Sequence, residues 1–181
     1  MKTNLYELPL GDKAPKEFNA IIEIPRGSHN KYEVDKDTGV ITLDRVNYSS
    51  APCPVDYAFA PQTLWDDGDA LDVLVLTTWP LYPGILVKVR PVGVMKMIDS
   101  GESDYKILAV PVSDKRWDDV QDLSDVNKHS LKEYKHFFET YKVLKGKGDI
   151  VTIEGYGDRK EAEMAIKKSI DLYHKKHSKK N

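Results

Sequence analysis

A single cysteine, Cys53, stands in the 181 residues. No internal disulfide can form, and that usage fits a reducing compartment. No apolar run approaches the ~20 residues a helix needs to cross a bilayer. The first residues, Met1 to Tyr6, hold no apolar stretch of the secretory kind. Charge of one sign is also missing: the net charge is −2 at pH 7, so no bulk basic field recruits nucleic acid. No linker, internal repeat or low-complexity block divides the chain. What remains is 40% hydrophobic and 31% charged, a globular profile. The expectation is a soluble, cytoplasmic protein with residues 1–181 forming one domain.

Familiar catalytic and metal motifs are absent too. There is no phosphate-binding loop and no nucleophile elbow. Cys53 has no partner cysteine for a zinc knuckle. Counting from Asp67, an EF-hand would need Gly at Asp72 and Glu at Thr78. The five histidines are scattered. Trp65, Trp79 and Trp117 do not alternate with basic residues as a base-stacking surface would.

Against these absences one stretch stands out. Asp66-Asp67-Gly68-Asp69-Ala70-Leu71-Asp72 runs directly into the apolar Val73-Leu74-Val75-Leu76. The apolar run asks for burial, and burying it crowds the carboxylates at its mouth. Like charges about 4 Å apart repel by up to ~4 kcal/mol at an effective dielectric near 20. Alone, the stretch reads either as a solvated cap or as a site for a hard divalent cation. The pattern recurs: Asp99-Ser100-Gly101-Glu102-Ser103-Asp104 leads into the strand from Tyr105 to Val110, which carries Lys106. Two acidic turns brought together would concentrate Asp67, Asp69, Asp72, Asp99 and Asp104, and the repetition favours the metal site.

The rest of the chain reads as strands first and helices late. Residues 1–18 form an arm that Leu5, Tyr6 and Leu8 can anchor. Ala20 to Ile24 is a strand in which Glu23, taken alone, is an outward-facing interruption. Lys31–Asp35 and Val40–Arg45 flank a turn ending in Gly39, a hairpin. Its charges read either as an exposed pairing face or as a cationic clamp of Lys31 and Arg45 on an anion. Tyr57 fits the core or a site. Pro91 marks a bend or an edge in the strand-rich stretch from Gly84 to Met97. Leu131, Tyr134, Phe138 and Tyr141 recur at helical spacing, with Ser124 or Asp125 as the expected cap and Lys142 beside the stripe. Asp158 is expected to cap a last helix in a capping box with Glu161, and residues 175–181 form a basic tail. The fold class is α+β: a small OB-like five-stranded β-barrel with additional strands and two main helices at its side.

At this point the residues resemble a known family. Asp67-Gly68-Asp69-Ala70-Leu71-Asp72-Val73 looks like the acidic signature of soluble family I inorganic pyrophosphatases, with Ala70 where Pro or Glu is usual. Ile22 to Ser28, Asn30 to Glu33, Leu43-Asp44-Arg45, Arg90 to Gly93 with Asp99, Asp104 and Lys106, and His136-Phe137-Phe138 with Tyr141-Lys142 follow in order, resembling the compact prokaryotic and archaeal type. The resemblance implies hydrolysis of pyrophosphate to two orthophosphates by direct attack of an activated water. It implies several Mg²⁺ ions, with Mn²⁺ or Zn²⁺ able to substitute and Ca²⁺ inhibitory. Carried over, Asp67, Asp72, Asp99 and Asp104 would hold metal, with Glu23 and Glu33 on a further ion. Asp69 would be the general base, and Lys31, Arg45, Tyr57, Lys106, Tyr141 and Lys142 would hold the phosphates. A homohexamer is implied, with no nucleic-acid or membrane partner. Asp66 is left as a solvated bystander. Two departures are plain: Cys53 stands where the family has Tyr, and Ala58 where it has Gly, a place where positive φ would strain an alanine. The alternatives are an OB-like binding module with structural calcium and a phosphohydrolase acting on nucleotides.

Overall fold

Runs such as Val73–Leu76 and Ile107–Val110 have no polar face, so strands built from them need cover on both sides. The computed structural model supplies that cover; it describes residues 4–146, 148 and 150–178. In chain order the strands are β1 (Phe18–Ile24), β2 (Asn30–Val34), β3 (Ile41–Val46), β4 (Asp56–Phe59), β5 (Asp72–Val75), β6 (Leu86–Asp99), β7 (Glu102–Ser103), β8 (Lys106–Pro111) and β9 (Val151–Gly157). The helices are α1 (Lys128–Thr140) and α2 (Arg159–Ser178). Among the described residues no helix is long and apolar enough to cross a membrane.

Five strands close on themselves. β1 pairs with β4, β4 with β5, β5 with β8, β8 with β6, and β6 returns to β1. Only the β5–β8 ladder of this ring is parallel. Numbered within the ring the order is 1-2-3-5-4-1, the OB arrangement, and the fold is α+β as expected. β7 and β9 extend the sheet from β6, while β2 and β3 form a separate two-stranded sheet. Pro91 does mark a bend: the β6–β8 register slips between Pro91 and Gly93, where the missing proline N–H cannot serve the ladder. Gly93 is required there, because a Cβ would lie 2.9 Å from Leu123 Cδ1 and 3.0 Å from the Gly157 carbonyl.

The barrel wall is buried on both faces. Val73, Val75 and Ile107 pack with Ala162 and Ile166 of α2. Leu74, Leu76 and Leu108 pack on the other face with Phe137 and Phe138 of α1. By strand alternation Asp72 and Lys106 share the face of Leu74 and Leu108, so the first polar residue of each strand emerges beside α1.

Three local expectations are corrected. The cap of α1 is Asn127, whose side chain accepts from the His129 and Ser130 N–H groups. Asp125 instead closes a capping box with Asp122 on the short turn Leu123–Asp125. Asp158 does accept the Glu161 N–H at 2.9 Å, but the Glu161 carboxylate pairs with Lys96 and not with the cap. Ala58 has no positive φ; it lies in β4, opposite Ile22 and Val73, fully buried in ordinary strand geometry. Of the basic tail, α2 reaches Ser178 and residues 179–181 lie outside the described residues.

Candidate active site

The parallel ladder sets Asp72 in register with Lys106 at the mouth of the barrel. Lys106 is 1% exposed, and an ammonium can be buried only with partners. It donates to Asp72 Oδ2 at 2.7 Å, to Asp104 Oδ1 at 2.8 Å and to the Tyr57 hydroxyl at 3.0 Å. The Tyr57 hydroxyl in turn donates to Asp72 Oδ2. Burial opposes the charge on Lys106, yet Asp72 and Asp104 outweigh it and hold the ammonium above its ordinary pKa. Burial pushes Asp72 up to about 6 even though Lys106 works the other way. Tyr57 and Tyr141 are held above the phenol range, first by burial, so both remain hydroxyl donors.

The two acidic turns meet beside this knot. In the first, Gly68 takes φ +90°, the Trp65 N–H reaches the Asp69 carbonyl at 2.7 Å, and Asp67 Oδ1 accepts the Asp69 N–H at 3.0 Å. Burial raises the pKa of Asp67. In the second, β6 ends at Asp99, and the Asp104 N–H returns to the Met97 carbonyl at 2.9 Å, which brings Asp104 back beside Asp99. Lys142, just past α1, pairs with Asp99. Asp66 is exposed and does not line the cavity that the other acids share, as expected of a bystander; it makes a surface pair with Lys168 of α2 at 2.6 Å, which the sequence does not reveal.

The hairpin covers the opposite side. Lys31 stands opposite Arg45 across β2–β3, with a register slip just after Lys31. Lys31 pairs with Glu33 and, at 3.2 Å, with Asp44; Arg45 pairs with Asp44 at 2.7 Å. Lys36, in the hairpin turn, pairs with Asp69. Glu23 is not an outward-facing residue; it is buried at 7% exposure. The β1–β4 register shifts between Ile22 and Ile24, and such a bulge re-aims a side chain. Glu23 accepts the Val34 N–H at 2.9 Å, and burial pushes its carboxyl up to about 8.

These side chains face one cavity of about 520 Å³. All of the expected acids line it: Asp67, Asp69, Asp72, Asp99, Asp104, Glu23 and Glu33. So do Lys31, Arg45, Lys106, Lys142, Tyr57 and Tyr141. Among the described residues no three acidic, His or Cys side chains stand together as a ready ion cage; lysines pair with Glu33, Asp69, Asp72, Asp99 and Asp104. The donors still fit a hard divalent cation: all are carboxylate oxygens.

Similarity to known proteins agrees with this geometry. Residues 20–174 match the family model described as inorganic pyrophosphatase. The chain belongs to the inorganic pyrophosphatase family. It is 52% identical over 149 residues to the inorganic pyrophosphatase of Leifsonia xyli subsp. xyli, covering 82% of this chain and 91% of that one. To the Haloferax volcanii inorganic pyrophosphatase it is 45% identical, covering 94% and 96%. The crystal structure of the inorganic pyrophosphatase from Thermus thermophilus superposes with a TM-score of 0.92 at 48% identity, covering 94% of this chain and 99% of that one. Relatives thus come from bacteria and archaea, and the chain is an inorganic diphosphatase by family.

The cavity region also holds residues that the sequence does not mark as part of a site, among them Lys36, Tyr6 and Asp44. Lys36 and Tyr6 line it, and Asp44 holds both hairpin cations. Lys36 sits in a turn and Tyr6 in an arm, so neither falls on a periodic strand. Cys53 is buried, with its Sγ donating to the Val55 carbonyl at 3.2 Å. It lines a separate space of about 40 Å³ shared with Lys31, Tyr57 and Tyr141.

Proposed function

We propose that the chain, working as one domain, hydrolyses inorganic pyrophosphate to two orthophosphates with Mg²⁺ as the natural ion. The observation that carries this reading is the meeting of Asp67, Asp69, Asp72, Asp99 and Asp104 with Lys31, Arg45, Lys106 and Lys142 on one cavity. A highly anionic substrate accompanied by divalent cations needs both signs of charge in one place. Asp67, Asp72, Asp99 and Asp104 would hold metal, and Glu23 and Glu33 a further ion. When bound, magnesium makes a water acidic enough to attack at neutral pH and screens the charge on the substrate.

The chain's own groups do the rest. Asp69, with its side chain 66% exposed, takes the proton from the attacking water. Lys31, Arg45 and Lys142 exchange carboxylate partners for phosphate oxygens, and Lys106 adds its charge from its fixed place in the barrel wall; together they stabilise the charge that develops on the leaving phosphate. Tyr57 and Tyr141 donate hydroxyl hydrogen bonds. No Ser, Cys or His is among the described residues lining the cavity, which supports direct attack by water over a serine, cysteine or histidine adduct. Mn²⁺ and Zn²⁺ are expected to substitute and Ca²⁺ to inhibit. The same reading carries a cytoplasmic homohexamer; Trp79 and Tyr82, 74% and 77% exposed, are the sort of surface that assembly covers.

Orthophosphate release across Mg²⁺, Mn²⁺ and Ca²⁺ tests it, with turnover expected in Mg²⁺ and suppressed by Ca²⁺. A structural calcium module would instead show Ca²⁺ binding by calorimetry, with no magnesium-dependent turnover.

A further inference from the structure

We propose that Tyr6 is a positioning residue, and that the N-terminal arm is a strap holding the β2–β3 hairpin in place against the acidic turn. Hairpin strands β2 and β3 share no ladder with the barrel, so backbone pairing does not fix the distance from Lys31 and Glu33 to Asp69 and Asp72. The ion pair between hairpin and turn, Lys36–Asp69, is exposed and is worth little in water. Something else must hold the hairpin.

The arm does so by touching three elements at once. Residues Leu5–Glu7 form a turn capped by Asn4. From it, the Tyr6 hydroxyl donates to the Val34 carbonyl at 3.1 Å, while the N–H of the same Val34 donates to Glu23. The last residue of β2 is therefore gripped on both sides of its backbone. The Tyr6 ring stacks on Phe59 of β4 at 4.4 Å, 23° from parallel, and Phe59 lies opposite Asp72 in the β4–β5 ladder. On the third side, Gln62 donates its N–H to the Tyr6 carbonyl at 3.0 Å and its Nε2 to the Glu7 carbonyl at 3.2 Å. Gln62 takes φ +55°, a conformation a non-glycine residue adopts at a cost. It opens the segment that carries the acidic turn. A small apolar cluster of Ile21, Val34 and Phe59 completes the joint; Leu5, Tyr6 and Leu8 of the arm pack against it together with Ile41 of the hairpin and Ala70 of the turn.

The consequence for chemistry rests on the proposed hydrolysis. Lys31 and Glu33 precede Val34 in the same strand, so a hairpin released at Val34 swings the phosphate-holding lysine away from Asp72. Misplacement of about 1 Å is enough to slow catalysis severely.

Two measurements on Tyr6→Phe and Tyr6→Ala in the full chain test the strap. Amide hydrogen exchange is expected to rise at least about tenfold across residues 30–46 in Tyr6→Ala, with β5 and β8 unchanged. KM for pyrophosphate is expected to rise at least about threefold, more than kcat falls, and Tyr6→Phe, which keeps the stack, to lie between. Unchanged hairpin exchange, or acceleration spread evenly over the barrel, overturns the proposal. So does a loosened hairpin with KM and kcat both unmoved. If Tyr6→Ala fails to fold, hairpin exchange in Tyr6→Phe decides alone. Absence of pyrophosphate turnover in the unmodified chain defeats the function reading, and the exchange data then judge the strap by themselves.

Discussion

Asp72 and Asp69 lie on one turn, and each is paired with a lysine. The Lys106 and Asp72 side chains are 2% and 21% exposed, whereas those of Lys36 and Asp69 are 60% and 66% exposed. Lys106 is locked by two carboxylates, a hydroxyl and the faces of Tyr57 and Phe138, 5.2 and 5.7 Å from their centroids. Lys36 has water on most of its surface. Coulomb's law acts on both pairs, but the buried one is held in low dielectric by a fixed wall and the exposed one is screened and exchangeable. The barrel thus carries the preorganised part of the site, and the hairpin carries the part that adjusts. Asp69, the base in the proposed mechanism, lies on the exposed side, where it meets water.

The comparison breaks most visibly at Lys106. Lys106→Met leaves Asp72 and Asp104 with an uncompensated buried charge, and removing one partner of such a cluster costs about 3–5 kcal/mol. Denaturant unfolding is expected to show that loss, with pyrophosphate turnover abolished as well. A stability change below about 1 kcal/mol would mean that the cluster relaxes and is not preorganised.

Glu23 gives the next effect and ties it to pH. Burial moves its carboxyl from near 4.5 to about 8. The folded chain therefore keeps a proton that the unfolded chain releases above about 4.5. Its metal-free stability falls as pH rises from about 4.5 to about 8, by at most about 1.4 kcal/mol per pH unit. Unfolding midpoints in chelator near pH 5 and near pH 8 measure this, and Glu23→Gln is expected to flatten the difference. An equal slope in the variant would place the titration elsewhere.

The smallest effect belongs to Lys36. Lys36→Ala is expected to change stability by less than about 0.5 kcal/mol. A loss as large as that of Lys106→Met would erase the distinction between wall and hairpin.

What could be read from the sequence follows the same division. The acids at the mouths of two apolar strands, and the barrel that those strands build, were legible because burial of a continuous apolar run forces its polar ends together. The hairpin cations were legible as an alternation. The burial of Glu23 was not, because a bulge in β1 reverses the facing that alternation predicts. Lys36, Asp66 and Tyr6 were also hidden. Their partners, Asp69, Lys168 and Val34, lie far along the chain, and no periodic pattern encodes such meetings. Ala58 shows the opposite error: a family glycine suggested strain, but the residue is an ordinary strand position with its methyl in the core.

These charges are proposed to form one metal-dependent hydrolytic site with Asp69 as its base. Its most direct test is orthophosphate release from pyrophosphate in saturating Mg²⁺ by the unmodified chain and by Asp69→Asn, each repeated in chelator. Magnesium-dependent turnover is expected to fall by about 10²–10⁴-fold in the variant, with unfolding midpoints that stay together. Full turnover by Asp69→Asn, or equal turnover in chelator, would contradict it.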